Sequence, residues 1–512
     1  MRHCPARFSR MPWALLAALT LLALTLPAMA SAAAPAPDAL RLELANRQGW
    51  GITGALPAAP GAPLFAHGNP PLPPDAQSQI AAMRIQRENA ADIAADMASQ
   101  RRAINQIADP DAKKAADKAW QQAMNDLARE AQTRAILRDL YSPFQLQEQM
   151  AWFWGNHFSV HARKREIRAL LGDYDDALRA HALGRFADLL RASLTAPAML
   201  QYLDNDQNAA GHINENYARE IMELHTLGVG SGYSQKDVQE LARILTGVGV
   251  RLQGDGPRLA PNLQPLYIRR GLFEFNPARH DFGDKQFMGR TIRGQGFAEV
   301  EQALDMLAHA PATARHVSAQ IATYMLGQPP SPALVDSMAS AWQHSDGRID
   351  AVLQALFASA EYRASLGQGF KDPVHYVLSA VRYAYGDSTG PDSRVILNAD
   401  PIIGWLSRMG EGLYEHETPD GYPLAAAAWT GPGQMEIRFE IARAIGSGSA
   451  GLFRPRSAGS AEQPAFPQLQ NALWFAQGPR LASAQTRAVL ARATSPQEWN
   501  MLYLASPDFM RR

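Results

Sequence analysis

Histidine and carboxylate side chains are concentrated in three segments of this sequence, and such groups can transfer protons or bind a divalent metal ion. The first segment, WFWGNHFSV at residues 152–160, ends a predicted helix. A rotation of 100° per residue places His157 on the same side as Leu146 and Met150, so its imidazole should point into the core. His157 is therefore either a structural group bonded to a carbonyl or carboxylate, or an acid–base group or metal ligand.

The second segment, INENYAREIMELHTLGVG at residues 213–230, is the densest polar helix that the sequence predicts. Glu215, Arg219 and Glu223 follow one another at four-residue intervals, and this spacing predicts salt bridges along one helix face. Such a row of salt bridges would explain these three charges without a functional site.

Asn216 and Glu220 form a second pair in the same helix, nearer to its apolar side, whereas His225 lies on the far, apolar side. Glu220 and His225 therefore cannot bind one metal ion from a single face of the helix. The HExxH spacing of helical zinc sites is also absent here. A metal site would need to combine ligands from several helices.

The third segment, FEFNPARHDFGDKQFMG at residues 273–289, places four polar side chains in a turn between apolar pairs: His280, Asp281, Asp284 and Lys285. Loops that are held by flanking strands often present functional groups. The Asp and Gly residues are partly explained by the turn itself. An adjacent histidine and aspartate exceed what a turn requires, so we predict that His280 and Asp281 are functional.

The N-terminus predicts export. Residues 1–30 contain Arg2, Arg7 and Arg10, then an apolar run at residues 13–26, then Ala-Met-Ala as a cleavage site, which is the layout of a secretory signal peptide. Cleavage near Ala30 would give a periplasmic or secreted protein. An uncleaved N-terminal anchor is the alternative, although the run is shorter than the roughly 20 residues that span a bilayer, and no later stretch predicts a transmembrane helix.

From the composition we expect the mature chain to be soluble. The sequence has 512 residues with 49 basic and 49 acidic side chains, and its one cysteine, Cys4, lies in the predicted signal peptide. Removing the signal peptide takes away three arginines and no acidic residue, which leaves 46 basic against 49 acidic side chains, a net charge of −3. Nothing in this balance predicts a nucleic-acid partner, and the mature chain can form no disulfide.

The mature N-terminal part divides into two predicted regions. Residues 31–75 are rich in Ala, Pro and Gly and predict a linker or an extended wrap. Residues 76–141 predict a charged helical hairpin, with a break at Asp109 and Pro110. Its weak apolar stripe is typical of an exposed arm or a partner-binding surface, or simply of a solvated charged face.

The remaining chain predicts a mainly α protein, a multi-helix globular bundle. Helical periodicity recurs through a core at residues 142–365 and continues in a C-terminal part at residues 366–512. Residues 266–292 alternate apolar and polar side chains and predict a short β-hairpin or irregular insertion. A Gly- and Ser-rich stretch near residues 446–466 predicts a flexible surface loop.

Four motifs resemble a known bacterial family: FWGNHFSV, ENYAREIMELHTLGVGSGYSQKDVQELARILTG, FNPARHDFGDKQFMG and PDGYPLAAAAW. They are similar, in this order, to the landmarks of domain of unknown function 1800 (DUF1800), and the resemblance covers roughly residues 142–444. It implies an exported or envelope-associated protein, and a partner from a second family, DUF1501. The motif positions are Asn156, His157, Asn216, Arg219, Glu220, Glu223, His225, Gly228, Tyr233, Asp237, His280 and Asp281.

Two functions are compatible with these residues. The first is a metal-assisted periplasmic hydrolase with a divalent metal as candidate cofactor, in which His157, Glu220, His280 and Asp281 are catalytic. Further side chains of the motifs would bind the ligand: Asn156, Asn216, Arg219, Glu223 and His225. The second is a non-catalytic envelope scaffold or binding protein that acts with a partner. No GxSxG motif supports acyl transfer by a serine.

Overall fold

The computed structural model describes residues 37–54, 63–252, 254, 256–386, 394–455 and 466–512. The predicted signal peptide lies outside these residues. Within them the chain is mainly α with a small β insertion, which confirms the predicted fold class. None of the described helices is long and apolar enough to cross a membrane.

The described α-helices carry the labels used below. They are α1 (Pro37–Arg47), α2 (Pro74–Ala82), α3 (Arg84–Arg87), α4 (Ala90–Asn105), α5 (Pro110–Tyr141), α6 (Gln145–His157), α7 (Leu171–His181), α8 (Phe186–Leu194), α9 (Pro197–Tyr202), α10 (Asn216–Glu220) and α11 (Gln235–Ile244). The others are α12 (Phe297–Ala308), α13 (Pro311–Leu326), α14 (Pro332–His344), α15 (Ile349–Ala358), α16 (Ala360–Ser365), α17 (Pro373–Tyr385), α18 (Asp400–Arg408), α19 (Pro432–Gly446), α20 (Ala472–Leu481), α21 (Ala484–Leu490) and α22 (Pro496–Leu504).

Short helices of other types connect these elements. One π-helix, Ile221–His225, follows α10 directly. The 3₁₀ helices are Ile167–Ala169, Asn205–Gln207, Gln264–Leu266, Pro277–Arg279 and Ala426–Trp429. A π-helix has carbonyls without the usual helical donors and is often found at functional sites, so this one bears on the predicted site.

The β insertion consists of two small antiparallel sheets. Its strands are β1 (Val248–Val250), β2 (Ile268–Arg270), β3 (Phe273–Phe275), β4 (Lys285–Phe287) and β5 (Arg290–Ile292). The first sheet has the order β1-β3-β2, and β4 pairs with β5 in a hairpin. The insertion predicted near residues 266–292 is therefore confirmed, although β1 joins it from outside that range.

The described part of residues 31–75, the predicted linker, contains a helix and side chains that belong to the core. This finding corrects the prediction of a linker. Helix α1 lies in it, and the side chains of Arg47 and Trp50 are fully buried. The guanidinium of Arg47 donates to the carbonyl oxygen of Ser365, 2.6 Å away. A few large side chains with distant partners anchor this stretch, and such anchors leave no periodic apolar pattern in the sequence.

The predicted hairpin at residues 76–141 is not an exposed arm. Helices α2, α3 and α4 replace its first helix, while Asp109 caps α5 by accepting from the backbone of Ala112, as the predicted break requires. The last turns of α5 bury Leu137 and Leu140 in the large core that α17, α18, α19 and α22 share. The apolar side chains of α5 are contacted by helices from several directions, so the weak apolar stripe in the sequence underestimates how much of α5 is buried.

Two side chains in the described part of the predicted flexible loop near residues 446–466 pack into the core, and residues 456–465 lie outside the described residues. Leu452 and Phe453 are buried. The backbone N–H groups of Leu397 and Asn398 donate to the carbonyl of Leu452, at 2.8 and 3.0 Å. Two apolar side chains thus anchor a stretch whose composition predicts flexibility.

Candidate active site

A partly open cavity of about 60 Å³ lies between three packed helices, α5, α6 and α7, and the segment 412–422. We call it the acidic cavity because three carboxyl groups line it. Its lining residues are Ala135, Arg138, Asp139, Glu148, Ala151, Trp152, Gly155, Asn156, Ser159, Val160, Asp175, Arg179, Gly412, Leu413, Tyr414, His416 and Tyr422. At roughly 10–15 Å³ for each enclosed water, the space suits four to six water molecules or a ligand of similar size.

Helix α6 turns one face toward the acidic cavity and the other toward the core. Glu148, Trp152 and Asn156 lie at four-residue intervals and all line the cavity. Phe153 and His157 lie on the other side and are buried among aromatic rings. The spacing of these residues in the sequence therefore determines which side chains of α6 face the cavity and which face the core.

Glu148 and Arg179 form a buried ion pair in the cavity wall. The guanidinium of Arg179 donates from Nε and Nη2 to the two oxygens of Glu148, at 2.7 and 2.6 Å. The side chains are 2% and 7% exposed for Glu148 and Arg179, respectively. Arg179 also donates to Asn69, at 2.7 Å, so its charge is fully engaged by protein groups.

Asp175 on α7 is held by two donors. The hydroxyl of Tyr414 donates to its Oδ1 at 2.9 Å, and Arg138 lies 3.4 Å from its Oδ2. Burial raises the pKa of Asp175, while Arg138, Arg134 and the hydroxyl of Tyr414 oppose that rise. These neighbours favour the charged carboxylate at this position.

The carboxyl group of Asp139 on α5 has no described cation within hydrogen-bonding distance, and the more distant charge of Arg179 lowers its pKa only in part. Its Oδ1 accepts from the indole N–H of Trp50, 2.8 Å away, and the residue is 7% exposed. Burial raises the pKa of Asp139 well above its usual range, and the negative charges of Glu148 and Asp175 raise it further. Burial thus raises the pKa of both carboxyl groups, and the rise is larger for Asp139, which lacks the donors that hold Asp175.

Asn156 fastens the segment that closes the cavity. Its Nδ2 donates to the carbonyl of Tyr422 at 3.0 Å, and its Oδ1 accepts from the backbone N–H of the same residue at 2.6 Å. Gly421 has a φ of 70°, and a Cβ atom there would lie 2.3 Å from the carbonyl oxygen of Asn156. Only glycine therefore fits at this contact, which joins the motifs WGNHF and PDGYP.

A model of one protein family, described as "Protein of unknown function (DUF1800)", matches residues 44–511. The chain belongs to the DUF1800 family. The match extends well beyond residues 142–444, where the sequence motifs suggested it, and it includes α2 to α5. No curated protein and no solved structure matches the chain.

In this DUF1800 protein, His157 lies against the π-helix that contains His225. The Nε2 of His157 is 3.1 Å from the carbonyl oxygen of His225, and the Nε2 of His316 is 3.3 Å from that of Leu224. The hydroxyl of Thr226 donates to the carbonyl of Ile221 at 2.7 Å. Three side chains thus contact backbone carbonyls of the π-helix.

These histidines are neutral groups in an apolar setting. Burial and the neighbouring His316 lower the pKa of His157 to about 4. Burial and His157 lower the pKa of His225 well below its usual range. Neither ring nitrogen of His225 has a hydrogen-bond partner among the described residues. His157 has the carbonyl partner that its structural interpretation requires, and its catalytic role stays a prediction.

His280 and Asp281 belong to a different network of the DUF1800 chain, at the start of α12. His280 lies 2.8 Å from the carbonyl oxygen of Thr246 through Nδ1 and 3.0 Å from Glu299 through Nε2. Lys285 pairs with the other oxygen of Glu299, and all three side chains are fully buried. Although burial opposes it, the hydrogen bonds from His280 and Lys285 lower the pKa of Glu299.

Asp281 contacts Arg243 on α11, with its Oδ2 2.9 Å from Nε. It also accepts from the backbone N–H of Gly283 at 2.8 Å. These contacts fasten the β insertion to α11. The structure therefore does not bring His280 and Asp281 into contact with His157, and no described group of three or more His, Cys, Asp and Glu residues has the geometry of a metal site.

The polar residues of α10 lie near the surface. Arg219 pairs with Glu215 at 3.0 Å and with Glu223 at 3.8 Å, as the four-residue spacing predicts. The side-chain amide of Asn216 donates to the carbonyl of Leu203 at 3.2 Å. Glu220 is half-buried, and burial together with the charge of Glu223 raises its pKa.

Of the predicted site residues, Asn156 is the one that lines the acidic cavity. The carboxyl groups of the cavity were not predicted: Asp139 and Asp175 lie in helices that look like ordinary charged helices in the sequence, and Glu148 lies near the start of the aromatic helix α6. The available signal was the four-residue interval from Glu148 through Trp152 to Asn156, which places a carboxylate and an amide on one face of an aromatic helix.

Proposed function

We propose that this DUF1800 protein is an exported hydrolase with its acid–base centre in the acidic cavity. The observation that carries the proposal is the contrast between Asp139 and Asp175, two carboxyl groups in one cavity with different neighbours. Pairs of titratable groups whose surroundings separate their pKa values are characteristic of acid–base catalysis. The predicted signal peptide supports export, and an exported enzyme would act outside the cytoplasm.

Each carboxyl group has one task in this proposal. Asp139 holds a proton and donates it to the leaving group, while the carboxylate of Asp175 takes a proton from the attacking water. Arg138 and Tyr414 keep Asp175 charged and oriented. The pair of Glu148 and Arg179 builds a rigid wall beside them.

The test uses the mature chain and chromogenic amides, esters and glycosides as substrates. Asp139→Asn and Asp175→Asn should each lower the rate about 10²- to 10⁴-fold, the usual contribution of a general acid or base. Asp117→Asn is the control, because Asp117 pairs with Arg101 at the surface, where its side chain is 37% exposed. Full activity in both cavity variants would contradict the proposal.

The metal-assisted hydrolase built on His157, Glu220, His280 and Asp281 is a second candidate. One observation favours it: the unprotonated ring nitrogen of His225 is buried without a described partner and could bind a cation, although no described group of three His, Cys, Asp and Glu residues forms a metal site. Elemental analysis of the purified protein tests it directly. A stoichiometric metal that is lost in His225→Phe would support this candidate, and a metal-free active enzyme would refute it.

A non-catalytic envelope scaffold that acts with a DUF1501 protein is the remaining alternative. A groove of about 670 Å³ favours it, since Phe439 and Val489 line that groove and are 49% and 44% exposed. Co-purification with a DUF1501 protein tests this alternative. The partner should be lost in Phe439→Asp and retained in Asp139→Asn, and the opposite pattern would contradict it.

A further inference from the structure

We infer that the acidic cavity binds an uncharged head group of amide size, and that an acetamido group is its class of ligand. This inference rests on the proposed function in one respect, because the bound group is taken to be the part of the substrate that reaches Asp139. Charge, volume and hydrogen-bonding capacity of the cavity each support it.

The charged side chains of the cavity are already paired. Arg179 binds both oxygens of Glu148, and Arg138 lies between Asp175 and Asp176, at 3.4 and 2.6 Å. Asp139 accepts only from an uncharged indole and is buried. With its proton in place, the carboxyl and guanidinium groups that line the cavity sum to zero, and the buried Arg382 lies outside that lining. A charged ligand would therefore enter without a counter-charge, which is costly away from water.

The volume sets the size of the ligand. A cavity of about 60 Å³ accepts roughly four to six non-hydrogen atoms, if each occupies about the space of an enclosed water. A whole sugar ring or nucleotide exceeds that space, whereas the four atoms of an acetamide fit. Trp152, Val160 and Leu413 supply apolar wall for a methyl group.

Two polar groups of the cavity remain available to a ligand. The second oxygen of Asp139 makes no hydrogen bond with the described residues, and neither does the hydroxyl of Ser159, which is 5% exposed. Three other polar side chains of the lining are engaged with protein groups: Asn156, Tyr414 and Tyr422. The hydroxyl of Ser159 can donate to the carbonyl of an amide, and a carboxyl oxygen of Asp139 can accept from its N–H, which places Asp139 at the nitrogen.

The reaction then has a defined balance. Water attacks the acetamido carbonyl, a C–O bond forms, and the C–N bond breaks. Asp175 takes one proton from the water, and the leaving nitrogen takes the proton of Asp139, which gives acetic acid and an amine. Transfer of the proton from Asp175 to Asp139 restores the starting state.

Three ligands of the same shape and different charge test the inference: acetamide, acetate and acetamidinium. Binding to the mature chain is measured by titration calorimetry near neutral pH. Acetamide should bind at least about tenfold more tightly than either ion, since about 1.4 kcal/mol corresponds to a factor of ten. Tighter binding of acetamidinium would show an ionised Asp139 and overturn the inference, as would the absence of acetamide binding.

Two helical glycines with free space provide matched variants. A Cβ atom at Gly155 on α6 or at Gly404 on α18 meets no atom within 4 Å, but only Gly155 lines the cavity. Gly155→Leu should abolish acetamide binding, and Gly404→Leu should leave it unchanged. Equal effects of the two variants would place the binding elsewhere and refute the inference.

Asp139→Asn separates this inference from the proposed function. The variant keeps an uncharged group of the same shape, so it should still bind acetamide while it fails to hydrolyse 4-nitroacetanilide. Acetamide binding without hydrolysis in the unmodified chain would support the inference and count against the hydrolase. Hydrolysis of other substrates without acetamide binding would support the hydrolase and count against the inference.

Discussion

Replacement of Arg179 by leucine is the most direct test of the cavity wall. The change removes both hydrogen bonds to Glu148 and one to Asn69, and it leaves a carboxylate with a 2%-exposed side chain without a cation. Breaking a buried ion pair from one side costs about 3–5 kcal/mol. We therefore expect Arg179→Leu to lower the free energy of unfolding by about that amount.

The double variant Glu148→Leu with Arg179→Leu removes both charges. It should recover most of the loss, because a buried pair replaced by apolar groups of similar volume is often neutral for stability. Equilibrium urea unfolding of both variants, followed by circular dichroism, measures the two free energies. The difference between them isolates the cost of the unpaired carboxylate.

An exposed pair supplies the control. Arg84 pairs with Asp96 at 2.7 Å, with side chains 28% and 42% exposed, and such surface pairs contribute about 0–1 kcal/mol. Arg84→Leu should therefore change the unfolding free energy little. If Arg179→Leu costs no more than Arg84→Leu, or if the double variant is as unstable as the single one, the described ion pair is not buried as the structure shows.

Three further predictions concern the same cavity. Gly421→Ala should destabilise the chain measurably in thermal unfolding, because its Cβ would lie 2.3 Å from the carbonyl oxygen of Asn156; an unchanged midpoint would refute this contact. Gly155→Ala should stabilise α6 by about 0.5–1 kcal/mol in urea unfolding, since its Cβ has free space and alanine favours a helix. The pKa of Asp139 in the folded state is raised above 3.8, so its protonated form stabilises the fold. As the pH rises from about 4 through that pKa, the wild type should therefore lose stability relative to Asp139→Asn, whereas below about pH 4 the two stability curves should have the same slope. Parallel curves over the whole range would contradict the raised pKa.

Helix ends were predictable because their signals are local. Asp109 and Pro110 lie next to each other, and the structure starts α5 there. Ser234 and Asp237 form a capping box at the start of α11, three residues apart. A capping side chain satisfies a backbone N–H within one turn, so the sequence contains all the information that this contact needs.

The cavity was not predictable because its contacts join distant parts of the chain. Trp50 and Asp139 are 89 residues apart, and Asn156 and Tyr422 are 266 residues apart. A carboxyl group in a charged helix such as α5 looks solvated until its neighbours are known. The 100° rotation correctly places His157 in the core, but the rotation does not identify the carbonyl of His225 as its partner.

The two faces of α6 connect the motif residues to the cavity. On one face His157 holds the end of the π-helix, and on the other Asn156, the next residue, holds the segment that closes the cavity. A substitution of His157 can therefore change the cavity by shifting α6, without any contact between the imidazole and a substrate. Loss of activity in a His157 variant alone would not make it a catalytic residue. A shifted pH profile in Asp139 or Asp175 variants would locate the chemistry, because those carboxyl groups line the cavity itself.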